Sequence, residues 1–342
     1  MSMHTTALTI VESPDHELSG HPESPHRFSS FHQLFDMPIS DGWLNIEPQP
    51  VEQQDLLTIH PEDYLEALRQ AVKLAPGFVD YGDTYVTQAS YDSACLAVGG
   101  LLNVLEAILT GEASNGFAII RPPGHHATPT RALGFCLLSN IAIAARIAQR
   151  SGYERVVIID FDVHHGNGTQ AIFEDDQSVL YFSTHQQGIF PGTGQIHEKG
   201  ISEGEGTIIN VPLPARAGDV AITEAFDQIL LPAVDRFNPN MIMVSAGFDA
   251  HWRDPLAMLQ MTTRGYHQLA ERILSIAREH CDGRLLLALE GGYDPTTLKE
   301  CIAAILLALA DEGYPDDDPD EPPYPEPSIE PLLVRAKAIH DL

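Results

Sequence analysis

The chain has 342 residues, with 48 Asp and Glu against 19 Lys and Arg and a formal charge of −29. A balance this acidic argues against tracking nucleic-acid phosphate or docking on anionic membrane, and suits cationic partners such as lysine-rich peptides or polyamines. With 44% hydrophobic residues the chain can build a large core, either as two domains or as one large α/β domain.

The opening residues MSMHTTALTIVESPD lack a basic stretch followed by an apolar one, so no secretory leader is expected. Residues 62–75 and 91–109 read as helices, the second with Leu101, Leu105 and Ile108 on one face. FAII (117–120) is the first of six short apolar runs. Residues 141–150 read as a third helix, with Ser139 or Asn140 as N-cap and Gly152 just past its end. The runs VVII (156–159), VLYF (179–182), TIINV (207–211), MIMV (241–244) and LLLAL (285–289) come next. None shows polar alternation, as expected of parallel strands covered on both faces, and the alternation with helices predicts an α/β fold. The run 302–310 is too short for a bilayer, and no segment approaches the roughly 20 apolar residues a membrane helix needs. Cys95, Cys136, Cys281 and Cys301 lack CxxC spacing and read as buried free thiols, which suits a reducing cytoplasm. Residues 311–331 hold nine acids, seven prolines and no Lys or Arg, a composition that cannot fold alone. The closing LLVRAKAIHDL could form a short helix docked on the body. The expected organisation is one domain over 1–310 and an acidic, Pro-rich extension over 311–342.

The chemistry sits just past the apolar runs. FAII leads into RPPGHH with His125 and His126, and VVII into Asp160-Phe-Asp162-Val-His164-His-Gly-Asn167. VLYF leads into Ser183-Thr184-His185 and Phe190-Pro-Gly, MIMV into SAGF-Asp249, and LLLAL into EGG-Tyr293. Open α/β sheets bind ligands at the carboxyl ends of their strands, so five segments converge on one rim. Alternate residues of an extended strand end share a side, which brings Asp160, Asp162 and His164 together. Asp162 and His164 with Asp249 would give a divalent cation such as Zn²⁺ three ligands and an open position, the arrangement of a catalytic site. Two carboxylates limit how far the metal acidifies water, so a nearby base is needed. His125 and His126 are candidates for base and electrostatic stabiliser, with Asp160 and Asn167 as orienting acceptors. Tyr293, after two glycines, could donate its hydroxyl to a developing oxyanion.

These motifs resemble the zinc-dependent histone deacetylases of the arginase/deacetylase superfamily. RPPGHHA, GFCLLSN, DFDVHHGNGTQAIFEDD, FPGTG, SAGFDAHWRDPL and LEGGYD match in family order, HPESPHR (21–27) resembles an early family segment, and the likeness covers about residues 15–305. Asn167 and the overall pattern resemble the class II branch, and Tyr293 the members that keep a catalytic tyrosine. The resemblance implies a single-domain, three-layer α/β/α fold on a mainly parallel sheet of about eight strands. It implies one Zn²⁺ on Asp162, His164 and Asp249, and His126 as general base beside His125. It pairs Asp160 with His125 and Asn167 with His126, and it places Tyr293 on the amide carbonyl. Phe135 and Phe190 become aromatic walls around lysine-like methylenes, and Asp83 a weaker match for a rim residue holding the substrate backbone. Structural K⁺ is implied at Asp160, Ser183 and the carbonyls of Asp162, His164 and Thr184, with a second site beginning at the Phe173 carbonyl.

The implied activity is hydrolysis of N-ε-acetyl-lysine, or a related acyl-lysine, to free amine and carboxylate. The alternative is an acetylpolyamine or other small-amide hydrolase of the same family. Polyamine-selective relatives place Glu seven residues past the third ligand; here it is Leu256, which offers a second ammonium no charge. A binuclear manganese enzyme would need further Asp and His ligands, and a catalytically dead acyl-lysine binder would not need Tyr293 and both histidines. The loop HQQGIFPGTG is compact, which leaves acyl-chain preference open.

Overall fold

The computed structural model describes residues 5–80, 82–315 and 320–342. In chain order the strands are β1 (Thr6–Val11), β2 (Trp43–Asn45), β3 (Gly77–Phe78), β4 (Tyr85–Val86), β5 (Asn115–Ile120), β6 (Val156–Asp160), β7 (Val179–Gln186), β8 (Ile208–Leu213), β9 (Met241–Ala246) and β10 (Leu285–Leu289). All six apolar runs become strands, with edges moved by a few residues. Eight strands form one sheet in the order β2-β1-β5-β10-β9-β6-β7-β8, with every neighbouring pair parallel, while β3 and β4 make a separate antiparallel pair. Periodicity does not mark β1 or β2; the latter is three residues long, below what a pattern can reveal.

The helices are α1 (Gln53–Leu56), α2 (Glu62–Lys73), α3 (Ser90–Leu109), α4 (Asn140–Arg150), α5 (Asn167–Phe173), α6 (Asp219–Ala225), α7 (Leu231–Phe237), α8 (Thr263–His280), α9 (Pro295–Leu309) and α10 (Glu330–His340). Because side chains alternate across a strand, the sheet feeds two cores. Phe117, Ile119, Val157, Ile159, Ile242 and Val244 face one layer, built mainly from α6 to α10. Ala118, Ile120, Val156, Ile158, Met241 and Met243 face the other, built from α3 and α4. Fully burying an aliphatic or aromatic side chain of this size contributes about 1.5–3 kcal/mol, so both layers are needed.

Several boundaries have local causes. α2 stops at Lys73, short of residue 75, because Pro76 disfavours helical geometry in the residue before it. Ser139 does occupy the N-cap of α4, yet its hydroxyl is buried without a partner. The start is fixed instead by tertiary contacts: Ser139 N donates to His60 Nε2 (2.9 Å) and Asn140 Nδ2 to Pro122 O (3.1 Å). α3 is long and apolar enough to cross a membrane by length and composition, contrary to the expectation that no segment comes close. Its apolar residues are spent on the core, where Ala97, Leu101, Val104 and Leu105 pack under the sheet. Gly116 on β5 permits that approach, since a Cβ there would lie 2.3 Å from a methyl carbon of Val104.

The described part of the acidic extension is fastened to the body. Asp320 accepts from Trp252 Nε1 (2.6 Å), His251 Nε2 (2.9 Å) and Thr263 N (2.8 Å). Glu326 accepts from Gly218 N, Val220 N and Ala221 N (2.8–3.1 Å), amides left unpaired at the start of α6. Leu333 and Ala336 of α10 complete the larger core.

Candidate active site

The strand order places β5, β10, β9, β6 and β7 side by side, and their carboxyl ends deliver the predicted residues to one crevice. Beyond β5, Gly124 lies against Asn140 so closely that a Cβ would meet Asn140 N at 2.5 Å. This turn fixes His125 and His126, with ring centroids 3.9 Å apart. His125 Nδ1 donates to Asp160 Oδ2 (3.1 Å), which also accepts from the Tyr181 hydroxyl (2.9 Å). His126 Nδ1 lies 2.8 Å from Asn167 Oδ1, and Asn167 Nδ2 donates to the His126 carbonyl (3.4 Å). That second bond orients the amide, so its oxygen faces the ring and can only accept. His126 therefore carries its proton on Nδ1 and presents a lone pair on Nε2.

The two histidines are pushed apart electrostatically. Burial disfavours charge on His125, but the carboxylates of Asp162, Asp160 and Glu290 outweigh it and raise it to about 10. Burial, reinforced by His125 and His164, holds His126 well below its ordinary value. The protein's own charges thus favour a proton on His125 and a neutral His126, the division that acid–base chemistry needs.

Beside them, Asp162, His164 and Asp249 offer ligand atoms within 4.8 Å of one another. His164 Nδ1 lies 3.2 Å from both Asp162 Oδ1 and Asp249 Oδ2. Backbone amides hold the carboxylates: Gly291 N donates to Asp162 Oδ2 (2.8 Å) and Val163 N to Asp249 Oδ1 (2.9 Å). Although burial opposes it, bonding to Asp162 and Asp249 raises His164 to about 10, so the three groups together favour positive charge between them. One imidazole nitrogen and two fixed carboxylates fit Zn²⁺ with a position left open. Gly247 and Gly291 make room for the set; a Cβ at either would fall 2.1 Å from a ligand carboxylate oxygen. His125, Cys136 and Glu290 also cluster within 4.8 Å, but there Glu290 accepts from Gly124 N (2.7 Å), His125 N (3.1 Å) and Ser245 Oγ (3.0 Å), and burial pushes the Cys136 thiol well up. That cluster is a clip holding the two-histidine turn.

Tyr293 enters from the turn after β10. Its amide donates to Asp254 Oδ2 (2.7 Å), and the Arg27 guanidinium stacks 5.0 Å from its ring. Burial raises its hydroxyl well above the ordinary tyrosine value, against the pull of Arg27, so it stays a donor. Tyr293, His126 and His164 line a pocket of about 260 Å³ whose walls include Phe135 and Phe190 and whose rim includes Asp83 and Leu256. Phe135 holds a left-handed φ of 69° after Gly134, with its amide donating to Thr84 Oγ1 (3.0 Å). The Phe190 ring stands edge-on to His126 at 5.0 Å.

Residues 21–309 match the family described as Histone deacetylase domain. The chain belongs to the histone deacetylase family. It is 43% identical over 293 residues to the probable deacetylase of Archaeoglobus fulgidus, covering 85% of this chain and 80% of that one. It is 41% identical over 304 residues to Histone deacetylase 14, chloroplastic, of Arabidopsis thaliana, covering 84% and 72%. A crystal structure of the HDA15 HD domain superposes with a TM-score of 0.89 at 33% identity, covering 99% of this chain and 95% of that one. The eight-stranded parallel sheet between helical layers is the deacetylase fold.

Not every residue marked in the sequence faces the pocket of this deacetylase. His185 is buried behind it, bonded to Ser183 Oγ (2.9 Å) and the Gly194 carbonyl (3.0 Å). Ser183 sits opposite Asp160 in register, and the Phe173 carbonyl accepts from Asp176 N (3.0 Å). Sequence reading also missed a buried network. Glu23 receives Arg121 Nε (2.7 Å) and Nη2 (2.8 Å), while Arg27 donates to the carbonyls of Gly292 (2.7 Å) and Glu290 (2.6 Å). The signal available was HPESPHR itself, an acid and a base four apart in an otherwise uncharged segment.

Proposed function

We propose that the chain is a zinc-dependent deacetylase that hydrolyses N-ε-acetyl-lysine, or a related acyl-lysine, to amine and carboxylate. The observation that carries this is that His126, Tyr293 and His164, the last clustered with Asp162 and Asp249, line one pocket walled by Phe135 and Phe190. Zn²⁺, when bound by those three residues, supplies Lewis acidity toward the amide carbonyl and the attacking water. His126 Nε2 takes the proton of that water as it adds to the carbonyl carbon, and returns it to the leaving nitrogen as the C–N bond breaks. Cationic His125 stabilises the negative charge that develops, held in place by Asp160. The Tyr293 hydroxyl donates to the carbonyl oxygen as it gains charge. Phe135 and Phe190 sandwich the methylenes, and Asp83 at the rim receives a substrate N–H. K⁺ is assigned to Asp160, Ser183 and the carbonyls of Asp162, His164 and Thr184, with a second ion at the Phe173 carbonyl; the in-register pairing of Asp160 with Ser183 supports the first site.

An acetylated small amine is the rival substrate. A polyamine carries a second ammonium, and Leu256 stands where a matching carboxylate would be needed, leaving Asp83 as the acid lining this pocket. A kcat/KM panel of acetyl-lysine peptides, longer acyl-lysines, acetylputrescine and acetylspermidine tests the assignment. Acetyl-lysine peptides should lead, and acetylspermidine ahead of every peptide would overturn it. Four unpaired cysteines, three of them buried, support placement in a reducing compartment such as the cytoplasm.

A further inference from the structure

A second pocket, of about 440 Å³, opens at the amino ends of β6, β7 and β8, the end of the sheet opposite the catalytic crevice. Strands of this length put it on the order of 20 Å from the zinc ligands. Three cations border it, Arg155, Lys199 and Arg236. In a chain with 48 acids and 19 bases a basic residue normally finds a carboxylate, and Lys199 does, pairing with Glu205 at 2.7 Å. The other two do not among the described residues: Arg155 Nη2 donates to the Asn238 carbonyl (2.5 Å) and Arg236 Nη1 to the His340 carbonyl (2.9 Å). Asp341 is the one further acid on the lining.

The independent sign of a ligand is His340. It is 4% exposed, lines the pocket, and neither ring nitrogen has a hydrogen-bond partner. Leaving such a group buried and unpaired forfeits its hydration with nothing in return, so it marks a position where a partner is missing. Burial, with Arg236 and Lys199 nearby, pushes it down to about 4, so at neutral pH it offers one donor and one acceptor. Leu180, Phe237 and Ile339 supply apolar wall beside the charged end. The volume exceeds what a bare inorganic ion needs and falls in the range of small-molecule sites.

We propose that this pocket binds a small organic oxyanion, its phosphate or carboxylate head held by Arg155, Arg236 and His340 and its body lying against Phe237 and Ile339. The head group's chemistry is shared by a phosphate monoester and a carboxylate, and the test separates them. The full-length, zinc-loaded protein is titrated by calorimetry with phenyl phosphate, benzoate and inorganic phosphate, at ionic strength matched with sodium chloride. The same titrations are run on His340→Phe and Arg155→Gln, neither of which touches the catalytic residues, with turnover of an acetyl-lysine peptide as the control for folding. Wild type should bind phenyl phosphate or benzoate more tightly than inorganic phosphate. Loss of the His340 or Arg155 contact should weaken that binding roughly tenfold or more while turnover is kept. The stronger of the two aromatic anions identifies the head group. If wild type binds neither aromatic anion up to about 10 mM, or if the active variants bind as tightly as wild type, the site does not exist as described. Should one substitution prevent folding, the other decides the question by the same comparison.

Discussion

Replacing Tyr293 with Phe removes one oxygen from the pocket and leaves everything that positions the ring. The backbone amide still donates to Asp254 Oδ2 (2.7 Å), Arg27 still stacks at 5.0 Å, and Phe135 still meets the ring edge at 5.8 Å. The hydroxyl has no protein hydrogen-bond partner among the described residues, so its deletion strands no buried group and should leave melting temperature and metal content unchanged. The loss is one donor aimed at developing charge in a narrow, aromatic-walled pocket, worth about 2.7–4 kcal/mol, or 10²–10³ in kcat. Because that interaction strengthens only as charge develops, kcat and kcat/KM should fall together and KM should barely move. Steady-state kinetics on an acetyl-lysine peptide, paired with elemental analysis and a thermal melt, make the measurement. A variant within about threefold of wild-type kcat, or one that raises KM at constant kcat, would remove Tyr293 from the reaction.

The same structure sets other expectations. Asp162→Ala deletes one of three converging ligands and should leave zinc sub-stoichiometric by elemental analysis; full occupancy would refute the ligand set. Burial disfavours ionised Glu23, yet Arg121 outweighs it and lowers the carboxyl from 4.5 to about 2. A depressed folded value contributes stability that is fully present above about pH 4.5 and lost as pH falls toward 2, worth roughly 3 kcal/mol. Glu23→Gln should therefore lower stability at pH 7 and flatten the acid limb of a denaturation profile, whereas an unchanged limb contradicts the pairing. Asp320→Ala frees Trp252, His251 and Thr263 N at once, and should cost about 1–3 kcal/mol and loosen the loop that carries Asp254 beneath Tyr293. Equal melting temperatures for variant and wild type would show the extension to be idle there.

The legible parts of the site were the short motifs that follow the strands, Asp249 and Tyr293 among them although they lie far from His164 in the chain. Asp160, Asp162 and His164 lie within five residues, yet β6 ends at Asp160, so Asp162 and His164 are aimed by the turn beyond the strand and by contacts from Gly291 N and Asp249 rather than by strand alternation. The apolar runs were legible as strands because full burial on both faces leaves no polar alternation. The clips that hold these pieces were not legible, because their partners are far apart in sequence: Arg121 and Glu23 by 98 residues, Glu290 and Gly124 by 166, Arg27 and Gly292 by 265. Nothing local marks Glu290 as the acceptor for the two-histidine turn, or Asp254 as the anchor of Tyr293.

The extension shows the same division from the other side. Its composition correctly reads as unable to fold alone, since acids and prolines offer little to bury. Its placement depends on groups elsewhere, the open amides of α6 and the Trp252 indole, which Glu326 and Asp320 satisfy. The sequence by itself determined the parallel α/β class, because unbroken apolar runs alternate with helices, and it named the candidate zinc ligands and the two histidines through short motifs at the strand ends. Only the tertiary structure shows how burial and distant charges set His125 apart from His126, which charges are clipped beside the site, and that Arg155, Arg236 and His340 border one pocket at the far end of the sheet. Those properties depend on burial and on fields summed over distant residues, and neither quantity exists until the chain has closed on itself.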